Sequence, residues 1–248
     1  MSSFRSAALV VFAAAIGLPA PASAQVQGHG FLFGEPDVNL SLRVGYAQPS
    51  ARSDLFSFTT NQLTLGRGDF GGPSIDADLG WRVAGRTDLT VSASYSGASR
   101  RSEFRHFIDN NNQPIQQTTR FQRVPLTVGL KQYLTPRGRT IGQYAWIPQR
   151  LTPYIGAAIG TEWYRFRQDG DFVDFADSTI YSAVNETSGW GGTAHGDAGL
   201  EYTLTPAIAL SGQLTYSLAK AKVGGDYSNF SNIDLSGFST TLGVAFRF

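Results

Sequence analysis

From Leu40 to Phe248 apolar and polar side chains alternate with a period of two in eight separate runs. Each is about 9–11 residues long, the length at which a tilted strand crosses a bilayer. The apolar faces carry Leu40, Leu42, Val44 and Tyr46 in the first run and Ile75, Leu79, Trp81 and Val83 in the second. They continue with Leu89, Val91 and Tyr95; Val124, Leu126, Val128 and Leu130; and Ile155, Ile159 and Trp163. The last three carry Ala198, Leu200 and Tyr202; Ile208, Leu210, Leu214 and Tyr216; and Phe238, Leu242, Val244, Phe246 and Phe248. No charged residue shares an apolar face, and the opposite faces are polar. Beyond residue 24 no stretch has the length of an apolar membrane helix, so strands would have to provide any crossing.

The first 24 residues form an address: Arg5 is basic, Ala7 to Leu18 is apolar, and Ala22-Ser23-Ala24 is a small-residue cleavage site. This predicts a signal peptide at 1–24, Sec-type export, and a mature chain at 25–248 starting with Gln25. A net charge of +1 offers nucleic acid no field, so no nucleic-acid role is expected. The absence of cysteine excludes disulfides, zinc–cysteine sites and a thiol nucleophile.

A soluble β-sandwich alternates too, so the choice of solvent rests on the aromatic residues and the connections. With the first strand rising, Tyr46, Tyr95, Trp163, Trp190 and Tyr216 gather near the upper end, and Trp81, Tyr202, Phe246 and Phe248 near the lower. Two such girdles are the mark of two membrane interfaces. The upper connections are long, at 49–73, 98–123, 167–189 and 219–236, whereas the turns at 84–87 and 204–206 are short. That polarity predicts an all-β, antiparallel, up-and-down transmembrane barrel of eight strands, with four long extracellular loops and mostly short periplasmic turns. The lower connection 135–152 is longer than this pattern predicts. Segments at 63–65 and 179–181 could extend strands above the membrane or add a pair.

The run Thr152-Pro153-Tyr154-Ile155-Gly156-Ala157-Ala158-Ile159-Gly160 and the ending Leu242-Gly243-Val244-Ala245-Phe246-Arg247-Phe248 resemble the small outer-membrane β-barrel superfamily of OmpA-like, OmpX-like and OmpW-like proteins. The resemblance implies a Gram-negative outer membrane, contact with its lipid and lipopolysaccharide, and delivery by the barrel-assembly machinery. It also implies that Phe246 and Phe248 form the C-terminal assembly signal. It names a fold rather than a function.

An eight-stranded barrel is filled by its own side chains. The polar faces would place Arg43, Arg82, Lys131 and Arg247 inside with Asp76, Asp78, Glu162, Asp197 and Glu201, a charge network that includes His195. His195 and Asp197 are the nearest approach to a catalytic pair. The alternation turns them into the lumen, away from any lipid substrate, and no serine stands at triad spacing. The acids at 169, 171, 174 and 177 lack calcium-loop spacing, and the glycines open no phosphate-binding helix. No catalytic residue, metal or cofactor is expected. The leading expectation is a non-enzymatic barrel that stabilises the envelope or presents its loops to a ligand the sequence does not name. The alternatives are an OmpW-like conduit for small apolar molecules and a lipid A-modifying enzyme.

Overall fold

The computed structural model describes residues 31–109, 111–142, 144–174 and 179–248. The expected signal peptide and the start at Gln25 lie outside the described residues. Eight long strands run antiparallel: β1 (Val38–Pro49), β2 (Gly72–Ala84), β3 (Thr87–Ile108), β4 (Pro114–Tyr133), β5 (Leu151–Val173), β6 (Ile180–Thr205), β7 (Ile208–Ala221) and β8 (Gly237–Arg247). Every strand pairs with its sequence neighbours, and β8 pairs with β1 from Gly237↔Pro49 to Arg247↔Asn39. The sheet is therefore a closed ring. Phe248 stays on the ladder, exchanging backbone hydrogen bonds with Val38 at 2.9 and 3.2 Å.

Closure removes the free edges that hydrocarbon would leave unsatisfied. Each alternating run lies within one strand. The strands β3 to β6, however, reach 22, 20, 23 and 26 residues. Much of the connections drawn at 98–123 and 167–189 is therefore continued, paired strand that stands above the membrane as a wall. The reason is an inversion of the alternation. On β5, Ile155, Ile159 and Trp163 face outward; past Trp163 the apolar Tyr164 and Phe166 turn inward while Arg165 and Arg167 turn out. On β4, Phe121 is buried inside and Arg120 exposed outside, whereas Val128 and Leu130 below are exposed apolar residues. The faces exchange roles where lipid gives way to water.

The inward aromatic residues of the wall have something to pack against. After β1 the chain turns at Ala51, whose φ is 49°, and enters helix α1 (Asp54–Gln62). Asp54 starts the helix favourably, its carboxylate accepting the Leu55 amide at 2.9 Å and facing the positive end of the dipole. Leu55, Phe56 and Thr59 fall on one face and are buried. They enclose a core with Phe70, Phe121, Tyr164, Phe166, Tyr227, Ile233 and Leu235. Leu63 forms an isolated bridge to Phe104 in a second cluster with Ile115 and Phe172.

The lower connection 135–152 is long because it builds a small sheet of its own. Gly138–Ile141 and Ala145–Pro148 form a hairpin to which Leu32–Phe33 adds a third strand. Trp146 is buried in it at 1% exposure.

Candidate functional site

Inside the ring the polar side chains assemble in tiers. At the lower end Glu201, on β6, receives Lys131 Nζ from β4 at 2.5 Å, Arg247 Nη2 from β8 at 2.9 Å and the Tyr133 hydroxyl at 3.1 Å. Lys131 also lies 3.8 Å from the centre of the Tyr154 ring. That ring fits because β6 has a glycine beside it, where a Cβ on Gly199 would fall 2.3 Å from Tyr154 Cζ. Below, Asp88 accepts from Asn39 at 2.6 Å and from Arg137 at 3.3 Å, and Arg137 reaches Glu35 at 3.4 Å. Arg82 stands apart from the expected lumen network. It pairs with Glu35 and Asp37 at the lower rim, a quarter exposed, because β2 is leaving the ring there through a register irregularity at 82–84. Lys131, Arg247, Arg137 and Arg82 thus meet Glu201, Asp88, Glu35 and Asp37, four charges of each sign.

The middle tier is richer in acid. Arg43 lies opposite Asp76 in register but turns one diagonal step to Asp78, while its Nε donates to Thr241 at 3.3 Å. Asp76 Oδ2 is buried without a protein partner. His195 Nε2 stands 3.2 Å from Asp197 Oδ2, and Asp197 Oδ1 accepts from Thr215 at 2.7 Å and Gln213 at 3.2 Å. The register sets Ser217 opposite His195, but its hydroxyl donates to the Gly237 carbonyl at 3.4 Å. Above them Arg123 Nε meets the buried Glu162 at 2.5 Å. Between these groups lies a polar cavity of about 60 Å³, room for about four waters. The aromatic core around Phe56 stands above it.

Sequence reasoning missed Arg123 because it fell in a stretch read as loop, and missed Arg137 because an irregular connection has no period to follow. Tyr133, Tyr154 and Gln213 were legible as inward by parity. Only the register tells which charges they serve.

The outer wall is the reverse of the lumen. Leu42, Val44, Ile75, Val128, Ile155, Ile159, Leu200, Leu214 and Leu242 are all exposed on it. Tyr216 meets Phe238 at 4.6 Å between centroids, Trp163 is paired with Trp190, and Tyr95 accepts from Gln122 at 2.9 Å. Trp81 is paired with Val38 and Leu89, Tyr202 with Leu151 and Leu210, and Phe246 with Leu40 and Ile208 at the other end. Tyr46 is exposed on β1, level with Thr240 of β8. On β6 Trp190 and Tyr202 are twelve residues apart, which for a strand tilted by ~40° spans roughly 30 Å, the thickness of a hydrocarbon core.

The chain is a membrane-spanning β-barrel.

No protein-family model matches the sequence, and no curated protein matches it. Among solved structures it is similar to OprG of Pseudomonas aeruginosa, with 14% identity over 90% of this chain and 98% of that one, and a TM-score of 0.48. Neisserial surface protein A gives 15% identity over 87% and 99%, with a TM-score of 0.47. The attachment invasion locus protein Ail of Yersinia pestis gives 14% over 86% and 99%, with a TM-score of 0.40.

The two faces predict opposite sensitivities. Leu200→Arg, at a position 51% exposed on the outer wall, should cost about 2–4 kcal/mol. Thr215→Asn, which keeps a donor for Asp197 in the lumen, should cost much less. Reversible unfolding from lipid vesicles checks this, and equal losses would mean that the inside and outside are wrongly assigned.

Proposed function

We propose that the protein is a non-enzymatic barrel of the bacterial outer membrane, exported on its signal peptide, whose lumen is a structural plug. In this reading the wall above the membrane is a rigid platform that presents its hairpins and connections to the outside. The observation that carries it is the tiered filling of the interior: paired charges below, a small polar cavity, and an apolar core around Phe56 above. A conduit for apolar molecules would need an apolar path, and charged groups occupy that position. Against an enzyme, His195 faces the lumen, and the serine across from it engages a backbone carbonyl.

Planar-bilayer recordings and lipid A mass spectra separate the readings. The plug predicts no steady ion conductance, and lipid A of unchanged mass in cells with and without the protein. A stable conductance would favour the conduit, and a changed lipid A mass the enzyme.

A further inference from the structure

Above the lumen a second cavity, of about 300 Å³, lies between the concave face of the wall, helix α1 and residues 226–230. That volume is at the lower end of the range for small-ligand sites. Aromatic rings form much of its lining. Phe172 of β5 and Tyr181 of β6 are paired in register and stack at 6.0 Å, and Phe58 of α1 meets Phe230 at 5.4 Å. Tyr181 is 49% exposed and Phe58 41%, so each ring keeps an open surface.

Side-chain amides supply the polar part of the lining: Gln62 from the end of α1, Gln117 from β4 and Asn185 from β6. Gln168, opposite Asn185 in register, is already engaged, accepting the Tyr227 hydroxyl at 2.6 Å and donating to Thr119 at 3.3 Å. Gln117 is different. It is 3% exposed, and its Oε1 is buried with no partner among the described residues. A buried amide oxygen left unsatisfied is costly. An amide can also turn end for end within its own volume, so Gln117 can offer the cavity either a donor or an acceptor. The described lining residues include Asp174 and Asp226 but no lysine, arginine or histidine.

We propose that this cavity binds one uncharged pyranose, the end of a neutral saccharide. Two acids and no cation in the lining disfavour a phosphate, sulfate or carboxylate ligand. Amides that both donate and accept match sugar hydroxyls, which do the same, whereas an ammonium ion would use the acceptors alone. The apolar C–H face of a sugar ring can then pack on an open aromatic ring. The inference rests on the reading of the wall as an outward platform and names what that platform holds.

The test titrates the purified full barrel, in nanodiscs free of lipopolysaccharide, by isothermal calorimetry. The probes are lactose, maltose and cellobiose, with sialyllactose and sulfated lactose as anionic counterparts and choline as a cationic one. At least one neutral disaccharide should bind, and the charged probes should bind at least roughly tenfold more weakly. Tyr181→Ala should weaken the neutral sugar about tenfold and Gln117→Leu about fivefold. Tyr181→Phe should retain binding, as should Tyr144→Ala, which removes a ring 71% exposed at the opposite end of the barrel. Heat-modifiable migration confirms that each variant is folded. Binding of none of the neutral sugars, a preference for a charged probe, or an unaffected Tyr181→Ala would overturn the site. An epitope inserted at Asn112, in the connection between β3 and β4, reads the platform separately on intact cells. A labelled epitope with no sugar bound sinks only the saccharide site, whereas an epitope hidden from outside sinks the platform.

Discussion

Glu201→Ala is expected to destabilise the barrel by about 3–5 kcal/mol, because it strands two cations in the interior. Glu201 is 1% exposed, and its two carboxylate oxygens are divided between Lys131 on β4 and Arg247 on β8. Without it the two cations are left beside the Tyr154 and Tyr133 rings and the Thr203 hydroxyl, with no carboxylate in contact among the described residues. The carboxylate also ties three strands that are not consecutive around the ring. Adding Lys131→Met to Glu201→Ala should recover a substantial part of the loss, since one stranded charge is then removed and its volume kept. Urea titration in lipid vesicles, followed by tryptophan fluorescence, checks both. A loss below about 1 kcal/mol would mean that water solvates this tier as it does a surface pair.

Phe56→Ala should have a comparable effect on the other side of the cavity. The ring has no exposure and lies 4.7, 5.3 and 5.9 Å from the centres of Phe70, Phe121 and Phe166. Truncating a buried phenylalanine costs about 3–5 kcal/mol when the neighbours cannot collapse, and here β4 and β5 hold two of them on a paired sheet. The damage should appear locally first. The amides of Ser57 and Leu63, which donate within and at the end of α1 at 3.0 Å, should lose hydrogen-exchange protection while the barrel strands keep theirs. Unchanged protection along 54–62 would mean that the helix does not depend on this core.

The membrane-spanning part of the fold was legible because lipid enforces a simple rule: every second residue must be apolar for the whole crossing. The runs from Leu40 to Phe248 follow it and never place a charge on the outward face, with the small hydroxyl residues Thr161 and Thr240 as departures. The wall above was not legible by the same rule, because water reverses it. Phe104, Phe121 and Phe166 are inward aromatic residues flanked by Arg105, Arg120 and Arg165, which reads as loop to a search for apolar-out strands. The inversion is itself a signal of period two, and it marks the upper boundary of the bilayer to within a residue or two on β4 and β5.

The lumen was legible by parity and no further. Alternation turns Arg43, Asp76 and Asp78 inward, but the sequence contains no register. Arg43 passes over the acid directly opposite and takes the diagonal one. Arg82 has the right parity and the wrong depth. Arg137 has no parity at all, since it lies between strands, yet it carries the pairing with Asp88.

The central claim, that the lumen is a plug held by paired charges, is tested most directly by reversible unfolding from lipid of Asp78→Ala beside the double variant Arg43→Met with Asp78→Leu. Arg43 is 2% exposed, and it pairs with the diagonal Asp78 although the acid opposite it in register is Asp76. The single change should cost about 3–5 kcal/mol, less where cavity water reaches the guanidinium, and the double change should restore most of it. Stabilities that do not move in either variant, together with a shifted ion selectivity in bilayer recordings, would contradict the plug and make the lumen a water-filled path.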